Sequence, residues 1–184
     1  GVKVNTADFQ RGGFSEDDAL EVAAMLEAEG IDLLELSGGT YERAAMFDEP
    51  TRASTVAREA FFLDQAERVR QRVRTPLMLT GGFRTREGMQ AALTGGAVDV
   101  IGLARPLAVE PDLCRRLLDG TAERAAAIEL ATGVAQVDAM LTGSWYQVQL
   151  DRIADGRGAD PGVWRISALT WYLRDLFLGG GHGR

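Results

Sequence analysis

Pro76-Leu77-Met78-Leu79-Thr80-Gly81-Gly82 and, one helical segment later, Val98-Asp99-Val100-Ile101-Gly102-Leu103-Ala104-Arg105 share one organisation. Each is a short apolar run that ends in small residues just before a helical pattern. That arrangement reads as a strand of a parallel sheet followed by its crossover helix. A phosphate group needs several backbone N–H donors aimed at one point, so it favours a turn without Cβ atoms. A helix N-terminus adds partial positive charge. Gly81-Gly82 meets these demands, and Ala104-Arg105 adds a guanidinium suited to pairing with phosphate. Glycine also serves ordinary tight turns. The repetition on successive strands is what carries the reading.

Two further strand-like runs lie upstream, Val2 to Asn5 and Ile31 to Leu36, the second ending in Ser37-Gly38-Gly39. Between them the pattern predicts a helix over 15–29. Ser15 and Asp18 resemble a capping box with Asp in place of Glu or Gln. Ala19, Val22, Ala23 and Leu26 build an apolar stripe, and Gly30 supplies a left-handed stop. Residues 40–54 form a connection too long for a plain βα turn, which marks it as functional or a lid. The next helix carries Phe62, Ala66, Val69 and Val73 on one stripe. Another runs over 86–93, capped by Thr85 and closed by Gly95-Gly96. Glu110-Pro111-Asp112 opens a short helix that ends at Gly120. Strands alternating with helices at this cadence predict a parallel α/β sheet. An open doubly wound sheet and a closed barrel both fit the periodicity. Beyond Gly120 the expectation is helical: 123–141, 144–154, a turn at Asp155-Gly156-Arg157-Gly158, and a last helix with Trp164, Trp171, Tyr172 and Phe177. These aromatics read as helical core or subunit contact rather than a ligand box.

With 184 residues the chain can form one ordinary core or part of a larger one. Its 46% hydrophobic and 26% charged residues are those of a soluble globular chain. No apolar run approaches the roughly 18 residues of a membrane span, and Val2-Lys3-Val4-Asn5-Thr6 followed by Asp8 is not a signal peptide. The net charge of -7 argues against nonspecific nucleic-acid binding, which needs a basic surface. A single cysteine, Cys114, excludes a disulfide framework within the chain and fits a cytoplasmic location. The single histidine, His182, lies in a Gly-rich stretch, so a zinc site of the usual kind cannot be assembled. A strand-like segment begins at residue 2 with no initiator Met. The expectation is a piece of something longer.

Thr80-Gly81-Gly82-Phe83-Arg84-Thr85, the run from Val98 to Leu107 and Glu110-Pro111-Asp112-Leu113 are similar to the last two βα units of Old Yellow Enzyme-type NADH:flavin oxidoreductases. The run from Val2 to Phe9 resembles that family's fifth strand, and Leu33-Leu34-Glu35-Leu36-Ser37-Gly38-Gly39 its sixth. Trp145-Tyr146-Gln147-Val148-Gln149-Leu150 resembles one branch of it. The resemblance implies part of a (β/α)₈ TIM barrel, strands five to eight over residues 1–120, with a C-terminal α-helical appendage over 121–184. It implies FMN at the barrel mouth, its phosphate on the backbone of Gly81, Gly82, Ala104 and Arg105. Many members carry Gly where Ala104 stands. Lys3 takes the place of a cation beside the flavin pyrimidine edge, where a fixed positive charge stabilises the anion formed on reduction. From the residues alone Lys3 reads equally as a surface lysine. Arg84 and Arg86 read as phosphate partners or a solvated helix start. Asp8 and Glu35 read as paired carboxylates or, preferably, polar lining.

The family's first four strands bring the remaining flavin contacts, the His pair that holds a substrate carbonyl and a proton-donating Tyr. None has a counterpart here. The expected function is therefore the FMN-binding part of an NAD(P)H-dependent oxidoreductase acting on activated C=C bonds, incomplete as this chain alone. Its open parallel edges imply pairing with an N-terminal half or self-association. The contrasting expectation is a noncatalytic half-barrel remnant that binds phosphate ligands.

Overall fold

The computed structural model describes residues 1–7, 12–37, 62–128 and 135–178. Packing divides the chain into two units, Gly1–Ala104 and Arg105–Arg184. In the first, strands β1 (Val2–Asn5), β2 (Leu34–Ser37), β3 (Leu77–Thr80) and β4 (Val100–Gly102) form an all-parallel sheet in chain order. Helices α1 (Glu16–Ala28), α2 (Leu63–Arg70) and α3 (Arg86–Thr94) stand between successive strands. A doubly wound sheet reverses its strand order at a switch point. These four strands advance without reversal.

Alternation along β2 and β3 buries Leu34, Leu36, Leu77 and Leu79 on one face. The expected stripe of Phe62, Ala66, Val69 and Val73 is buried along α2, which packs on β3. Local signals act as read. Ser15 accepts from the Asp18 N–H at 3.1 Å while Asp18 Oδ2 accepts from the Ser15 N–H at 2.9 Å. Gly30 has φ 81°, and Thr85 caps α3.

Polar contacts fix the N-terminal ends of β3 and β4. Glu27 on α1 accepts from the Arg74 and Thr75 N–H groups at 2.7 and 3.0 Å. Asp99 accepts from the Leu77 N–H at 2.8 Å and pairs with Arg70, whose guanidinium also donates to the Val73 and Thr75 carbonyls. These bonds satisfy strand-end backbone groups that burial would otherwise leave costly.

The second unit holds α4 (Arg105–Val109), α5 (Leu113–Leu118), α6 (Ala135–Ala154) and α7 (Arg165–Leu178). Val109, Leu141, Trp145 and Ala168 form its core, so α4 packs with the later helices. The sequence reading missed α4 and differs again at two places. Residues 123–128 are not helical, because Glu110 Oε2 takes the Ala126 N–H at 2.6 Å and tertiary contact overrides alanine propensity. The expected break near residue 143 is absent, and α6 runs through Gly143. A helical glycine costs about 1 kcal/mol against alanine, which burial of Leu141, Trp145 and Gln149 on the same helix offsets. Gln149 is fully buried and holds Asp160 at both ends of its amide, donating to the carbonyl at 2.9 Å and accepting from the N–H at 2.7 Å. The turn after α6 has Gly156 and Gly158 at positive φ, as read. Cys114 is exposed on α5, and His182 lies outside the described residues. Among the described residues no helix is long and apolar enough to cross a membrane.

The leucine face gives a direct stability test. Leu79→Ala, at a fully buried position, is expected to cost about 2–5 kcal/mol in urea denaturation. Leu118→Ala, at an exposed one, should stay within about 0.5 kcal/mol of wild type.

Candidate functional site

Parallel register aligns Lys3, Glu35, Met78 and Val100 in one row across the sheet. Asn5, Ser37, Thr80 and Gly102 stand two residues further along, on the same face. This face lies opposite the buried leucines and is largely half-exposed. Parallel sheets are ordinarily covered on both faces. A half-exposed face carrying a charge pair is therefore the natural place in this unit for a ligand.

Lys3 Nζ lies 2.9 Å from Glu35 Oε1, and Thr80 Oγ1 donates to the same oxygen at 2.8 Å. Three strands are tied in this way. The fourth makes room: a Cβ at Gly102 would fall 1.8 Å from Thr80 Oγ1 and 2.9 Å from Met78 Cε. Burial acts to raise the Glu35 carboxyl. The hydrogen bonds from Lys3 and Thr80 and the charge of Lys3 outweigh it, holding the group below its ordinary value of 4.5. The Lys3 side chain is 55% exposed, so solvent screens the pair and its contribution to stability is small. Its effect is to fix where the ammonium stands.

Immediately after β3, Gly81 and Gly82 have φ 139° and 87°, values that residues with a side chain rarely adopt. Buried Phe83 anchors the turn, and Thr85 accepts from the Gly88 N–H at 3.1 Å to open α3. The turn thus presents bare backbone at a helix N-terminus. Strand spacing and rise put the Lys3 and Gly81 Cα atoms on the order of 14 Å apart. Arg84 donates to the Phe83 carbonyl at 3.1 Å. Ala104 closes the first unit and Arg105 begins the second, so each belongs to the description of its own unit.

Lys3 therefore stands on the sheet face near the start of β1, and Gly81 and Gly82 follow the C-terminal end of β3. Glu35, read as polar lining, is the partner of Lys3. Asp8, Gly38, Gly39 and residues 40–54 lie outside the described residues. Sequence reading missed Thr80 and the reason for Gly102. One signal was in plain view: Lys3 is the only lysine among 20 Lys and Arg residues. A chain that uses arginine everywhere else has a compact, flexible ammonium at this one place.

A cleft of about 430 Å³ lies elsewhere, in the second unit, lined in part by Asp151, Arg152, Arg157, Trp171 and Arg174. Each arginine is turned to a carboxylate: Arg152 to Asp160 at 3.5 Å, Arg157 to Asp155 at 2.8 Å and Arg174 to Asp151 at 3.9 Å. Its charge is largely spent internally. The sheet face has the better arranged chemistry.

No protein-family model matches the chain. Curated proteins do. The NADH-dependent flavin oxidoreductase nadA of Aspergillus parasiticus is 41% identical over 121 residues, 65% of this chain and 27% of that protein. The NADH-dependent flavin oxidoreductase iccE of Talaromyces variabilis is 44% identical over 97 residues, 50% of this chain and 23% of that protein. Among solved structures, the old yellow enzyme homologue from Zymomonas mobilis matches at 24% identity with TM-score 0.48, covering 69% of this chain and 33% of that one. The similarity to NADH-dependent flavin oxidoreductases expected from the motifs is thus shown. The chain spans about a quarter of the length of the two curated relatives named.

The Glu35 contacts carry a pH prediction. A carboxyl depressed in the folded state stabilises above its unfolded value, and that contribution is lost as pH falls through the folded value. Lys3→Met and Thr80→Val should each raise the Glu35 titration midpoint in carbon-detected NMR. A midpoint unmoved by both would contradict the contacts described.

Proposed function

We propose that this chain is the FMN-phosphate side of an NAD(P)H-dependent flavin oxidoreductase. In this reading residues 1–120 are the C-terminal half of a (β/α)₈ barrel, strands five to eight, and 121–184 are a helical tail. The observation that carries the reading is a lone lysine on the half-exposed sheet face, with a positive-φ Gly-Gly turn at the end of the same sheet. Relatives named NADH-dependent flavin oxidoreductases support it. So does the strand order, since four parallel strands in sequence with one packed face are what part of a barrel presents.

The donor set fits one side of FMN. Gly81 and Gly82 offer backbone N–H groups without an obstructing Cβ, and Ala104 and Arg105 would complete the phosphate site. Lys3 would meet the pyrimidine edge. When bound, the flavin supplies a two-electron carrier between NAD(P)H and an activated C=C or related acceptor. The chain's own residues bind and orient it. Gly81-Gly82 and the start of α3 favour the phosphate dianion through backbone dipoles. Lys3 favours negative charge accumulating at the pyrimidine edge on reduction. The His pair and proton donor would come from an N-terminal half, either as a partner or within a longer chain. Self-association through the open sheet edges is the alternative partnership, and a cytoplasmic location fits the single cysteine.

The test is purification of the longest natural protein that contains these residues. The expected result is a yellow protein that releases FMN on denaturation and oxidises NADH. Gly81→Val should weaken FMN about fivefold or more, because valine at that φ is strained by about 1–3 kcal/mol. A colourless protein that binds inorganic phosphate alone would contradict this reading and favour a noncatalytic phosphate-binding module.

A further inference from the structure

We propose that Glu35 is a positioning residue that sets the place of Lys3 on the sheet face and offsets the field around it, and that position 102 is glycine so that Thr80 can hold Glu35. The inference deepens the flavin reading and rests on it for the ligand; the contacts themselves do not.

An ammonium on a four-carbon stem, more than half exposed, has many rotamers open to it. Glu35 removes most of that freedom. It sits on β2, between β1 and β3, and its Oε1 is held from both sides, by Lys3 Nζ at 2.9 Å and by Thr80 Oγ1 at 2.8 Å. Thr80 is β-branched and stiff at χ1. With its hydroxyl toward Glu35, Oγ1 occupies the space a side chain at 102 would need. Turning Thr80 about χ1 removes the Oγ1 contact and leaves its Cβ 2.9 Å from the added methyl, so a side chain at 102 both displaces the hydroxyl and pushes β3 and β4 apart. A methyl at position 102 thus reaches Lys3 through two intermediaries without touching it.

The charge consequence follows. Beside Glu35 the positive field of Lys3 is offset, so an anion forming next to it is stabilised less than by a bare ammonium. Glu35 itself stays ionised at neutral pH, its carboxyl held low by Lys3 and Thr80 against the effect of burial. It is therefore not a proton donor to substrate. Its role is to hold and offset the ammonium of Lys3.

The experiment uses the flavin-loaded full-length protein and two variants of it. Glu35→Gln keeps the shape and removes the charge. It should shift the two-electron flavin equilibrium toward the reduced form about tenfold, roughly 30 mV upward. Lys3→Met should shift it the opposite way. A potential that moves with Lys3→Met but not with Glu35→Gln overturns the coupling. A potential that moves with neither overturns the placement of Lys3 beside the flavin. Absence of bound flavin overturns the functional reading alone. In that case a flavin-free arm on the same full-length protein decides the coupling: the side-chain ¹⁵N signal of Lys3, assigned by its loss in Lys3→Met, should show a pH inflection from Glu35. Gly102→Ala should move that inflection upward, and Thr80→Ser, which retains the hydroxyl, should leave it in place. If Gly102→Ala does not fold, Thr80→Val removes the same hydrogen bond. An inflection indifferent to loss of the hydroxyl contact refutes the role of Thr80 and Gly102.

Discussion

The hydroxyl of Thr80 occupies space that any side chain at position 102 would need, and the polar face of the sheet is organised around that exclusion. Because β4 yields there, β3 can hold Glu35 on β2, and β2 can hold Lys3 on β1. Each link is an ordinary contact near 2.9 Å. Together they carry a constraint across four strands that are far apart in sequence but adjacent in register. A screened pair of this kind adds little to stability. What it supplies is a cation with a defined position, which a binding site needs more than it needs extra folding energy.

The two ends of the same strands divide the work. At the N-terminal ends, Glu27, Arg70 and Asp99 are committed to backbone groups and to one another. They hold the strands in place. At the C-terminal end of β3, Gly81 and Gly82 leave the backbone bare, with Phe83 buried beneath. Parallel α/β folds place ligands at the carboxyl ends of their strands, and the positive-φ pair Gly81-Gly82 stands at such an end.

Much of this was legible in the sequence, and the reasons differ by residue. Ser15, Gly30 and Thr85 act through neighbours three or four residues away, so local pattern finds them. The buried stripe on α2 follows from helical period alone. Glu35 was read as one of a carboxylate pair or, preferably, as polar lining, because its partners are 32 and 45 residues distant and meet it through parallel register. Gly102 looked like part of a phosphate loop, yet its neighbour across the sheet explains it. In the second unit, alanine propensity after residue 120 gave way to the Glu110 contact at Ala126, and Gly143 was absorbed into α6 because buried Trp145 and Gln149 outweigh it. Local signals sufficed where the cause was local.

The named relatives, NADH-dependent flavin oxidoreductases, are about four times longer than the segment they match. What matters most is where a flavin would meet these residues. A crystal structure of the longest natural protein containing them, grown with FMN, decides it. Lys3 Nζ should lie within hydrogen-bond distance of the pyrimidine edge, still bonded to Glu35, with the phosphate on the Gly81 and Gly82 amides. A flavin bound elsewhere, or Lys3 turned away from it, would refute the placement of the cofactor on this face.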